Sequence, residues 1–75
     1  MIVTFYRKII KKEGEEPRVE ARISLVDEGV VGDIGTLSFP NKRSWTSFFK
    51  ATQKGALSVR DIEVRMENVG HGETE

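Results

Sequence analysis

Residues 38–58 read SFPNKRSWTSFFKATQKGALS, and this stretch decides the fold because it carries the chain's one strong helical period. Pro40 closes the extended run before it. Asn41 is a good N-cap, with a side-chain oxygen free to accept from the first exposed amides. Trp45, Phe48, Phe49 and Thr52 follow at i, i+3, i+4 and i+7, which is one face of a helix. Gly55 stands where a left-handed residue stops a helix. Lys50 and Lys54 lie toward the negative end of the helix dipole, where cations are favoured. A helix with a single aromatic stripe needs a sheet to cover that stripe, so the aromatics are expected in the core.

Strand patterns flank this helix. IVTFYRKIIK at 2–11 is β-branched and aromatic, with Val3, Phe5 and Ile9 on one face and Ile2, Tyr6 and Ile10 on the other. A strand apolar on both faces belongs at the centre of a sheet or at an interface. KKEGEEP then turns the chain, and residues 18–26 alternate cleanly: Val19, Ala21, Ile23 and Leu25 against Arg18, Glu20, Arg22 and Ser24. A turn at Asp27–Gly29 leads to VVGDIGTLSF at 30–39, where Gly32 and Gly35 predict either a bulge or bend or two short strands meeting near Asp33. After the helix, residues 59–67 return to strand period through Ile62, Val64 and Met66. The expectation is a small single α+β domain over residues 1–67, of order β-β-β-α-β. It has a mostly antiparallel sheet, one helix on one face, and residues 68–75 as a flexible polar tail. A right-handed crossover sets the last strand parallel to the one before the helix, within reach of the first.

At 75 residues the chain is one domain that hides only roughly 60–65% of its unfolded surface, so its own stability is modest. It has no cysteine, hence neither disulfides nor thiolate metal ligands, which fits a reducing, cytoplasmic setting. Its apolar runs are two or three residues long, too short for a membrane span or a secretory signal. The high mixed charge, 32%, suits a source growing at high temperature.

Net charge is zero, yet the signs are blocked along the chain. Residues 1–12 carry +4, 13–40 carry −5, 41–60 carry +5 and 61–75 carry −4, so local fields exceed what the total implies.

Catalysis finds no constellation. His71, the one histidine, lies in the glycine-flanked tail, and no serine or threonine has a base beside it. The acids of 13–16 and 27–33 match no calcium loop and read as solvated turns. GVVGDIG at 29–35 lacks the lysine and the directly following helix of a phosphate loop. No catalytic residue, metal site, cofactor or small-molecule substrate is expected.

Binding finds more. Lys42 and Arg43 occupy the first helical turn, where the dipole is already positive and acids are the usual choice. They face either an external anion or acids of a neighbouring loop such as Glu28 or Asp33. Tyr6 points away from the helix if Phe5 points toward it, and Lys8 and Ile10 share its face. An aromatic beside cations on an open sheet suits single-stranded nucleic acid. Arg7, Lys8, Lys42, Arg43, Lys50 and Tyr6 are therefore the candidate nucleic-acid or anion-binding residues. Ile2, Tyr6 and Ile10 are the alternative, an interface with a second copy or a partner protein through the first strand. GTLSFPNKRSWTSFFK at 35–50 also resembles the strand-to-helix step of transcriptional coactivators that bind single-stranded DNA. Those have four strands, then a helix with a tryptophan near its start, and they dimerise; this chain departs from them by a strand after the helix. The function expected is a small non-enzymatic binding protein, nucleic acid slightly ahead of protein. Its test is whether segments 7–12 and 42–54 converge on one face.

Overall fold

The computed structural model describes residues 1–59 and 61–73, the last four by their backbone only. Four strands and one helix follow in the order β1 (Ile2–Lys11), β2 (Arg18–Asp27), β3 (Val30–Phe39), α1 (Lys42–Ala56) and β4 (Glu63–Glu73). The strands form one sheet of order β3-β2-β1-β4. β1 pairs antiparallel with β2 and β2 antiparallel with β3, while β4 lies parallel to β1. The two-faced first strand is thus central, and the helix carries the chain from one sheet edge to the other. The shortest dimension of the molecule, 15 Å, is that of one sheet covered by one helix.

The expected core assembles on the helix face. Phe5, Ile9, Val19, Ala21 and Trp45 are buried, with Val3, Ile23, Phe39, Phe48, Phe49 and Val64 packed around them. Phe5 is the hub. Its ring meets Trp45, Phe48 and Phe49 at 5.7, 5.8 and 5.8 Å, each in an edge-to-face geometry that suits the ring quadrupoles. Five of the six aromatic residues join this cluster; Tyr6 does not.

Local signals held at most boundaries. The Asn41 side chain accepts from Ser44 N at 2.8 Å and caps α1 as its chemistry requires. The pairing of β2 with β3 shifts between Ile23 and Ser24, so that Ile34 is an extra residue between Asp33 and Gly35, the bulge that the glycines foretold. Glu28 and Gly29 both have positive φ, at 51° and 83°, as a two-residue turn of the hairpin type demands.

Two expectations are corrected at the ends of elements. Gly55 is not a left-handed cap: it lies within the last helical turn, and the helix runs to Ala56 with Leu57 as a right-handed C-cap. Ala56 is half-buried and lines a groove with Ile62 and Val64, and Leu57 N donates to Gln53 O beyond the glycine. The last strand starts later and ends later than its apolar pattern. A turn through Asp61, at φ 66°, precedes it. The start of β4 is then tied down by hydrogen bonds from Glu63 N to Met1 O and from the Met1 amine to Asp61 O. At the other end, His71, Gly72 and Glu73 pair with Ile9, Ile10 and Lys11, so most of the expected tail is strand. Backbone pairing along the free side of β1 needs no apolar side chains.

Candidate functional site

The face of the sheet away from α1 is set by the alternation of β1 and β2. Register places Tyr6 opposite Arg22, Lys8 opposite Glu20 and Ile10 opposite Arg18. Across the other edges of these strands, Thr36 stands beside Arg22 and Glu67 beside Tyr6. The floor between Tyr6 and the Ile2–Val26 pair is made by two small polar residues, Thr4 and Ser24, which face each other and are both buried. The Ser24 hydroxyl donates to Gly32 O at 3.4 Å, next to the β3 bulge.

Tyr6 and Arg22 form the most specific arrangement on this face. The Arg22 guanidinium carbon lies 4.7 Å from the Tyr6 ring centroid, a cation–π contact. Around it opens a shallow groove of about 280 Å³ lined by Tyr6, Lys8, Glu20, Arg22, Thr36 and Val69. Arg22 is exposed, whereas Tyr6 is half-buried, so the pair places a cation over the ring on its solvent side.

The expected basic patch does not assemble as one surface. Tyr6 and Lys8 share the open face. Arg7 points to the helix face, where its Nε donates to Asn68 Oδ1 at 2.7 Å. Lys42 and Arg43 lie at the end of the molecule beside the β1–β2 turn, in a groove of about 380 Å³ shared with Glu16, Pro17 and Asn41. Lys50 is exposed on α1. The β1–β2 turn, with Glu16, therefore lies beside the helix start, and Arg7 and Lys8 point to opposite faces of the sheet. Ile2, Tyr6 and Ile10 share the open face, each half-buried.

The internal acids proposed for Lys42 and Arg43 are also wrong in place. Glu28 follows the far end of β2, and Asp33 is separated from the helix start by most of β3. Ten strand residues span roughly 33 Å. Among the described residues, no ion pair involves Lys42 or Arg43; those present are Met1 with Asp27 at 3.9 Å and Arg65 with Glu63 at 3.1 Å. The hydrogen-bonded Glu63 carboxylate, assisted by its charge, raises the pKa of the Arg65 guanidinium above its usual value.

Sequence reasoning missed Arg22, Glu20, Thr36 and Val69. A six-residue turn between β1 and β2 leaves their register open, and only the register shows that Arg22 meets Tyr6. No helix is long and apolar enough to cross a membrane among the described residues. The chain matches no family model, no curated protein and no solved structure.

Proposed function

We propose that this chain is a non-enzymatic binding module whose open sheet face takes up single-stranded nucleic acid. The observation that carries the reading is the Tyr6–Arg22 cation–π pair on the open sheet face, with Lys8 and Arg18 close by in register. Bases stack on aromatic rings and on guanidinium planes alike, and neighbouring cations neutralise the phosphates between them. Tyr6 is also the one aromatic that the core leaves out. Glu20 and Glu67 limit the charge of the face, which favours a short, weakly held strand over a tightly coated duplex.

Fluorescence anisotropy with labelled single-stranded and duplex oligonucleotides tests this. The single strand binds better than the duplex, and its affinity falls as salt rises. Tyr6→Ala or Arg22→Ala weakens binding about fivefold or more, the worth of one stacked base. Absence of binding at low ionic strength, or full binding by both variants, overturns the reading.

A further inference from the structure

β3 is an edge strand, and its character differs from that of the opposite edge. β4 carries Glu63, Arg65 and Glu67, charges of the kind that protect an edge from further pairing. β3 is ten residues long and holds one charge, Asp33. Val30, Val31, Ile34 and Leu37 on it are 71, 68, 59 and 36% exposed. On its helix-face side Gly32 and Gly35 leave bare backbone, where an added Cβ meets nothing within 4 Å. A row of main-chain donors and acceptors, flanked by apolar side chains and interrupted by a single charge and the bulge beside it, suits one more strand.

The two ends of β3 carry opposite charge. Asp27 and Glu28 precede it, and Lys42 and Arg43 follow it, all exposed. Within one molecule these groups are separated by the whole strand. We propose that a second copy of this chain pairs antiparallel with β3, about a two-fold axis near the Ile34 bulge. In that arrangement the Val30 end of one strand lies against the Phe39 end of the other. Asp27 and Glu28 of each copy then come beside Lys42 and Arg43 of its mate, at both ends of the interface. The complementarity is of a self-matching kind, as two-fold contact requires. It also adds carboxylates to the first turn of α1, where Glu16 of the β1–β2 turn is the acid already near Lys42 and Arg43. The strand edge alone is narrower than a standard interface, so the charges at its two ends are needed to hold it. This inference does not depend on the open face binding nucleic acid.

Sedimentation velocity over a concentration series, with circular dichroism to confirm folding, tests it. The unaltered chain shifts from monomer to dimer as concentration rises. Ile34→Lys, which puts a charge on an already exposed edge position, abolishes the dimer and keeps the fold. The pair Lys42→Glu with Arg43→Glu weakens dimerisation about tenfold or more, and so does Asp27→Lys with Glu28→Lys. Mixing these two charge-reversed proteins restores a dimer, which a merely structural effect of the substitutions does not do. A chain that stays monomeric at its highest soluble concentration overturns the proposal. So does a dimer indifferent to Ile34→Lys, or a mixture of the reversed variants that fails to associate.

Discussion

Tyr6 and Arg22 stand directly opposite each other on β1 and β2, and the Arg22 guanidinium lies 4.7 Å from the centre of the Tyr6 ring. The contact joins the half-buried ring of a central strand to an exposed cation of its neighbour. Its energy follows from exposure: cation–π pairs in contact with water are worth about 0.5–1 kcal/mol. A double-mutant cycle of Tyr6→Leu and Arg22→Ala, followed by urea unfolding, reads a coupling of that size. A coupling of zero means that the pair does not form in solution.

Phe5 is a residue whose loss the fold tolerates poorly. It touches three aromatic rings of α1 from the central strand β1. Phe5→Ala costs about 3–5 kcal/mol. At 0.05–0.15 kcal/mol per residue, a chain of 75 residues has roughly 4–11 kcal/mol in all. Circular dichroism of the variant at room temperature shows a largely unfolded or barely folded chain, whereas Phe5→Leu stays folded with a lower urea midpoint.

Gly55→Ala stabilises the protein. Gly55 sits inside the last helical turn without a positive φ, and its missing Cβ has open space around it. Alanine there gains about 0.5–1 kcal/mol, from helix propensity and from a less disordered unfolded chain. A lower urea midpoint for Gly55→Ala points instead to a left-handed cap at this position.

Asn41 separates capping from charge. Asn41→Ala removes the acceptor for Ser44 N and costs about 1 kcal/mol. Asn41→Asp keeps the acceptor and places a negative charge at the positive end of α1, next to Lys42 and Arg43, so its stability equals or exceeds that of the unaltered chain. The advantage of aspartate shrinks in high salt, and thermal unfolding at two ionic strengths measures it.

Much of the fold was legible in the sequence because its signals are local. β-branched alternation gave β1, β2 and β3, and an N-cap with an aromatic stripe gave α1. Asn68–Glu73 was not legible, since a parallel edge strand needs only backbone, and NVGHGE has no apolar alternation to report it. Gly55 misled because a glycine near a helix end has two uses, and only the hydrogen bonding beyond it decides between them. The candidate site was legible in half. Tyr6 followed from its phase against Phe5, but Arg22 depended on a register that the β1–β2 turn does not encode. The basic patch failed for a similar reason: Arg7 and Lys8 are neighbours in sequence and point to opposite faces of the sheet.

The parallel pairing of β4 with β1 has a bearing on how the protein is made. Arg7 and Asn68, hydrogen-bonded across that pair, are 61 residues apart in the chain. The β1–β2–β3 meander draws on nearby residues and closes early, while β1 keeps one side open until the last strand arrives. Non-local closure of this kind slows folding. For that interval the growing chain presents two unsatisfied edges, and the exposed one on β1 is flanked by Phe5 and Ile9 before their cover is complete. Misassociation therefore concentrates in the interval before β4 pairs, at the open side of β1.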